Sequence, residues 1–355
     1  MTGRDRAETL RELLSARTRP GPALAGGGTD CVRLCAGLAD GVPGLIVDRF
    51  GPLVVAVEYA DGGMTAEALL GLVREIFPEH HVIAKVRSFE HGTKDGAHGT
   101  KDGTNKFATA AHHPARGAGP DAAPLTGIER GLKFEIGVNP AHDFGLYLDA
   151  AKARLFVRQS ARGQRVLNLF SYAGAFGVAA AAGGAIDVAN VDPNRDYLTW
   201  SLRNAALNGV TMRVLPDKAQ DHLARHLRRL ARDPHRANYD LVIVDPPAFG
   251  IGRGNERVLR LLWPELFASL LAMQPRTLVL LSNDKAFRAR QSFVELVEGE
   301  LGEHYRFERF GTHLTPGDLA AERPELAWRP VAEDPYYVEP VVLAGRRKSG
   351  GATSS

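Results

Sequence analysis

Only two cysteines, Cys31 and Cys35, occur among 355 residues, and both lie near the N-terminus. Two thiols four positions apart cannot complete a four-ligand zinc site, and no histidine cluster supplies the remainder. They read as small apolar core residues, and no metal is expected. Long apolar runs are also missing: none reaches the ~18 residues of a membrane span. The opening stretch from Met1 to Glu8 lacks the apolar core of a secretion signal. A cytoplasmic protein with no membrane partner is expected. Charge of one sign is scarce too: 44 Lys and Arg against 41 Asp and Glu leave a net charge of +3. That balance permits a polyanionic partner without requiring one. What is present, 44% hydrophobic and 24% charged residues, suits a globular chain long enough for two domains.

Along the chain, residues 1–29 form an N-terminal extension with a short charged helix over 4–17, closed by Pro20 and Pro22. Residues 30–90 read as a small α/β domain. Its strands cover Val32–Leu34, Leu45–Val47, Leu53–Val57 and His81–Val86, with a helix over 65–76. Residues 91–124 break the pattern. His91 to Gly96 repeats letter for letter as His98 to Gly103, and Ala, Gly, His and Pro dominate the rest. That composition offers little apolar surface to offset ordering entropy, so a flexible linker or insertion is expected. Residues 125–345 alternate strand and helix, beginning with a half-buried strand through Leu132, Phe134, Ile136 and Val138. From Arg165 the alternation implies a largely parallel sheet covered on both faces, with edge strands from 305–345. Residues 346–355 read as a disordered tail.

The chemistry concentrates in Val166 to Gly177, in Asp192, and in Asp245-Pro246-Pro247. In an open α/β sheet, ligands bind beyond the carboxyl ends of the strands, where strand order reverses. Ser171 to Gly177 occupies the first such turn; Gly174 permits close backbone approach and Gly177 tight helix–strand packing. Asp192, 18 residues after Gly174 at the end of the next strand, is placed to accept ribose hydroxyls. Asp217, after the third strand, is placed to meet an adenine amino group. Each also has a plainer reading as a helix cap. Asp245 and Pro246 both precede a proline, which keeps them out of the helical region. Neither proline has an N–H and both have fixed φ, so a stiff strand end results, with Phe249 able to stack on a planar ring.

Asn168-Leu-Phe-Ser-Tyr-Ala-Gly174, Val191-Asp-Pro193, Leu207-Asn-Gly209 and Asp245-Pro-Pro247 together resemble a class I S-adenosylmethionine-dependent methyltransferase. More narrowly they are similar to bacterial 23S ribosomal RNA methyltransferases acting on cytosine C5 or guanine N7. Gly145-Leu-Tyr-Leu-Asp149 with Arg154, and Gly41 to Phe50, extend the resemblance upstream. It implies a Rossmann-like fold with a seven-stranded sheet and S-adenosyl-L-methionine as cofactor. Asn168 belongs to the cofactor motif, and Phe170, Ser171, Tyr172, Ala173 and Gly174 would line the methionine part. Asp192 would hold the ribose, Asp217 the adenine, and Asp245 would sit beside the methyl group. Tyr147, Asp149 and Arg154 would close the pocket from upstream. One departure is Ala150-Ala151, where the family often has Gln-Arg or His-Arg.

The acceptor atom follows from nucleophilicity. Cytosine C5 needs a thiolate adding at C6, and no cysteine follows Cys35. Where the C5 enzymes place one, this chain has Leu281-Ser282-Asn283-Asp284-Lys285, which looks more like the N7 branch. Guanine N7 carries a free lone pair and needs only positioning, which Asp245, Pro246, Pro247 and Phe249 would provide as the catalytic set. Arg253, Arg257 and Arg260, with Lys285, Arg288 and Arg290, supply basic groups for RNA phosphates, or else a solvated basic face. A methyltransferase of a small molecule or a protein side chain, and a non-catalytic cofactor- or RNA-binding module, are the alternatives.

Overall fold

The computed structural model describes residues 3–18, 28–59, 64–87, 107–113, 124–138, 144–233, 237–247, 256–282, 290–310 and 341–348. Among these, two compact units separate between Asp149 and Ala150.

The first unit opens with helix α1 (Gly3–Thr18) and holds a five-stranded sheet in the order β1-β2-β3-β4-β5. Its strands are β1 (Cys31–Ala36), β2 (Leu45–Phe50), β3 (Leu53–Glu58), β4 (His81–Arg87) and β5 (Phe107–His112). Only β3 and β4 run parallel, because helix α2 (Ala66–Ile76) carries the crossover between them. Thr65 caps α2 by accepting from the Ala68 N–H at 3.2 Å. The helix buries Ala66, Leu69, Leu72 and Val73 at helical spacing. Arg6 of α1 reaches the buried Glu58 carboxylate at 2.8 Å, which ties the N-terminal helix to the unit.

Strands β6 (Leu125–Glu129) and β7 (Leu132–Ile136) form a hairpin. Arg130 and Gly131 at its tip both have positive φ, 48° and 78°, as a two-residue primed turn requires. Asp30 donates its N–H to the Ile128 carbonyl at 2.8 Å and accepts from the Ile128 N–H at 2.5 Å. Gly127 packs so closely on Cys31 Sγ that a Cβ there would overlap it.

The second unit carries a seven-stranded sheet in the order β10-β9-β8-β11-β12-β14-β13. Strands β8 (Arg165–Leu169), β9 (Asp187–Asp192), β10 (Arg213–Pro216), β11 (Leu241–Val244) and β12 (Thr277–Ser282) are mutually parallel. Strand β14 (Val341–Arg347) inserts antiparallel between β12 and β13 (Tyr305–Phe310). Helices α3 (Ala151–Ser160), α4 (Ala175–Ala182), α5 (Arg195–Leu207), α6 (Ala219–Arg232), α7 (Glu256–Met273) and α8 (Arg290–Leu301) complete it. Alternate strand residues pack on opposite faces. Leu167, Val242 and Leu278 meet Leu223, Trp263 and Phe293 from α6, α7 and α8. Val166, Leu241 and Val279 meet Val157 and Phe176 from α3 and α4. Both faces being covered explains the unbroken apolar reading of β11, all of whose residues are buried. This is the Rossmann-like, largely parallel sheet expected, and β8 sits where its strand order reverses.

Three boundaries differ from expectation. Phe107–His112, inside the segment 91–124 expected as a linker, forms β5 by pairing with β4. Edge pairing with an existing strand needs little apolar surface, so composition concealed it. The β6–β7 hairpin groups with the first unit, not with the 125–345 domain, because its backbone bonds run to Asp30 and Gly28. Residues 346–348 are not part of a disordered tail: Arg346 and Arg347 extend β14, and Lys348 Nζ donates to the Gly302 carbonyl at 2.6 Å.

Candidate active site

Strand β8 ends at Leu169, and the chain then turns through Phe170, Tyr172 and Gly174 with φ of 57°, 47° and 77° before α4 begins. Left-handed backbone at two non-glycine residues costs on the order of 1–3 kcal/mol each and persists only where surroundings hold it. Here they do. The Ser171 N–H donates to the Val191 carbonyl at 3.0 Å, and Gly174 N–H to the Ser171 carbonyl at 2.8 Å. The Tyr172 N–H donates to Asp192 Oδ2 at 3.0 Å, and Asn204 Nδ2 of α5 to the Ala173 carbonyl at 2.9 Å.

Beneath the loop lies a buried polar chain. Asn168 Nδ2 donates to Asn190 Oδ1 at 2.9 Å, and Asn190 Nδ2 donates to Ser201 Oγ at 2.9 Å. Gly174 and Gly177 close over it: a Cβ on either would overlap Ser201 or Asn190. Asn168, expected among the cofactor residues, therefore spends its amide on supporting the turn, and it is only 1% exposed. Asn190, Ser201 and Asn204 escaped sequence reading. The signal available was one asparagine at matching register among the apolar interior residues of each of two strands, Asn168 opposite Asn190.

Asp192 ends β9 beside this turn. Oδ2 takes the Tyr172 N–H and Oδ1 takes the Asn194 N–H at 2.9 Å. Each carboxylate oxygen keeps a further lone pair for a hydroxyl donor. Burial raises its pKa from the ordinary value, and the two backbone N–H groups pull against that rise. The helix cap at this point is Asn194, not Asp192. Ser171 Oγ is buried without a hydrogen-bond partner among the described residues. An orphaned hydroxyl, a half-exposed Tyr172 and a carboxylate with spare lone pairs around one turn fit a nucleoside-bearing ligand.

Asp217 follows β10, and its N–H donates to the Asp192 carbonyl at 3.2 Å. It is not the cap of α6, a position held by Lys218. Its carboxylate is ion-paired with Arg225, two turns into α6, and lies 3.8 Å from His222 Nδ1. An adenine amino group would share Asp217 with that guanidinium. Asp245 leaves β11 half-buried, with Pro246 buried and Pro247 exposed. Arg154 is buried, its guanidinium 5.9 Å from the Phe176 ring centre. Tyr147, 49% exposed, and Asp149 belong to the first unit and are described with it. Phe249, Arg253, Lys285 and Arg288 lie outside the described residues; Arg257 and Arg260 fall on the backbone of α7, and Arg290 opens α8.

Sheet order, glycine turn and terminal aspartate together define a Rossmann-like nucleoside-binding enzyme fold. The chain belongs to the S-adenosylmethionine-dependent methyltransferase family, whose model matches residues 64–292. Among curated relatives, the ribosomal RNA large subunit methyltransferase I of Salmonella typhi is 33% identical over 223 residues, 62% of this chain and 51% of that protein. The chain thus spans about half the length of the curated relatives it matches. Among solved structures, a candidate SAM-dependent methyltransferase from Streptococcus mutans superposes with a TM-score of 0.66 at 20% identity, covering 98% of this chain and 82% of that one. The SAM-dependent methyltransferase from Agrobacterium tumefaciens gives a TM-score of 0.58 at 18% identity, covering 91% of each chain. These two likenesses concern the fold. Among the described residues, no helix is long and apolar enough to cross a membrane, and no group of three His, Cys, Asp or Glu is placed to hold a metal.

Proposed function

We propose that this chain transfers the methyl group of S-adenosylmethionine to a base of RNA, ribosomal RNA in the first instance, in the cytoplasm. The observation that carries the reading is the β8–α4 turn with Asp192 bonded to its backbone, in a chain of this family. S-adenosylmethionine supplies an activated methyl on a sulfonium. In this reading Asp192 accepts the ribose hydroxyls, and the turn from Phe170 to Gly174 faces the methionine part. Asp217 orients the adenine, and Arg154 bounds the pocket. Asp245, Pro246, Pro247 and Phe249 align the acceptor, and alignment alone can supply ~7–11 kcal/mol of the barrier. Arg253, Arg257, Lys285 and Arg288 meet RNA phosphates. The name of the Salmonella typhi relative supports the RNA assignment.

Guanine N7 is favoured over cysteine-dependent cytosine C5. Cys31 and Cys35 are both fully buried within the first unit, and burial pushes the Cys35 thiol up to about 12. Neither is poised as a thiolate nucleophile. The deciding experiment is nucleoside mass spectrometry of ribosomal RNA from cells with and without the protein. Loss of one 7-methylguanosine supports the reading; loss of a 5-methylcytosine overturns the acceptor. Unchanged RNA, with purified protein methylating only metabolites or proteins, overturns the RNA substrate. No turnover on any substrate, with cofactor and RNA still bound, would indicate a binding module.

A further inference from the structure

At the β10 edge of the seven-stranded sheet, helix α6 stands over a cleft of about 790 Å³, enough for a nucleotide-sized ligand. It meets the proposed cofactor site only at Asp217. Four guanidinium groups face it, from Arg165, Arg213, Arg225 and Arg229, against the two carboxylates of Asp187 and Asp217. Asp187 is shared between Arg213, which grips it through two bonds of 2.8 and 2.6 Å, and Arg165 at 3.8 Å. Asp217 is taken by Arg225. Arg229 is exposed, and the wall is left positive.

The interior wall is built, not incidental. His222 and His226 stack with ring planes 7° apart, and Tyr239 packs on both. Asn238 Nδ2 donates to the Met273 carbonyl at 2.6 Å, and its Oδ1 accepts the Tyr239 N–H at 2.8 Å. With that amide orientation set, His226 Nε2 must be the donor in its 3.0 Å contact with Asn238 Oδ1. His222 is only 9% exposed, lines the cleft, and its Nε2 has no hydrogen-bond partner among the described residues. Such an orphan is costly unless a ligand or water completes it.

We propose that this cleft binds phosphate groups, with His222 Nε2 and the exposed Arg229 guanidinium meeting the phosphate oxygens inside the net positive wall. A guanidinium group matches phosphate geometry bidentately, and about 790 Å³ leaves room for more than a lone ion. The source is either a free polyphosphate ligand or the backbone of an RNA strand. The inference concerns a surface apart from the methyl-transfer site.

The test is titration of the full chain with inorganic pyrophosphate by calorimetry, and with a labelled single-stranded ribo-oligonucleotide by fluorescence anisotropy at several salt concentrations. Wild type is compared with Arg229→Glu, a surface change, and His222→Phe, with melting curves confirming that both fold. Pyrophosphate binding that weakens about tenfold or more in both variants identifies a free phosphate ligand. RNA binding without pyrophosphate binding, with a salt slope reduced by about one in Arg229→Glu, identifies a backbone contact. S-adenosylmethionine affinity should be unchanged in Arg229→Glu, separating this cleft from the cofactor site. Equal binding of both probes by wild type and Arg229→Glu, or no binding of either, overturns the proposal.

Discussion

The Tyr172 N–H donates to Asp192 Oδ2 at 3.0 Å, joining a left-handed residue of the β8–α4 turn to the last residue of the neighbouring strand. The same carboxylate holds the Asn194 N–H that opens the cap of α5. One side chain thus sets two backbone segments and keeps lone pairs over for a ligand.

Asp192→Ala is expected to weaken S-adenosylmethionine binding about tenfold to a hundredfold, the worth of losing hydrogen bonds to a charged group. Calorimetry on the purified variant checks this. Its melting temperature should fall as well, because the Tyr172 and Asn194 N–H groups lose their acceptor, so binding is compared at a temperature where both proteins are folded. Affinity in wild type should also decline in acid, as protonation at the raised pKa removes an acceptor site.

Gly174→Ala places a methyl group at φ 77° and against Ser201 and Asn190. The left-handed backbone costs roughly 1–2 kcal/mol, and overpacking adds about 1–3 kcal/mol. Chemical denaturation should register the sum. Gly177→Ala tests the packing part separately, since Gly177 lies within α4 without positive φ.

Asn190→Ala leaves the Asn168 amide and the Ser201 hydroxyl without their shared partner. A loss of roughly 1–3 kcal/mol is expected. Cofactor affinity should fall with it, because the turn rests on this amide. Unchanged affinity at reduced stability would show that the turn does not depend on the polar chain.

Acid should destabilise the protein through His222. Desolvation first, then the positive field of His226, Arg229 and Arg213, pushes its pKa down to about 4 from an ordinary 6.5. The Asp217 carboxylate does not reverse this, being held by Arg225. A depressed folded value means a stability contribution that is full above pH 6.5 and lost as pH falls toward 4. His80, also pushed down to about 4 by burial, adds to the loss. Melting temperatures in phosphate-free buffers should drop across that window, less steeply in His222→Phe.

Much of the second unit could be read in advance, because residues buried on both faces of a parallel strand leave unbroken apolar runs such as Leu241–Val244. The place of Asp192 at the end of β9 was equally legible, since the apolar run of that strand stops at it. The Arg225 partner of Asp217 was not, because it depends on how α6 lies against β10, a tertiary fact without local signature. Phe170 and Tyr172 in left-handed backbone could not be anticipated either, as aromatic residues carry no such preference. Strand β5, built from Phe107-Ala-Thr-Ala-Ala-His112, owes its existence to the open edge of β4 rather than to its own composition.

Calorimetric titration of the folded chain with S-adenosylhomocysteine, wild type beside Asp192→Ala, bears most directly on the whole account. Saturable binding at one ligand per chain, weakened at least about tenfold in the variant, is the predicted result. No heat and no shift in melting temperature with well-folded wild type, or equal binding by both proteins, would contradict it.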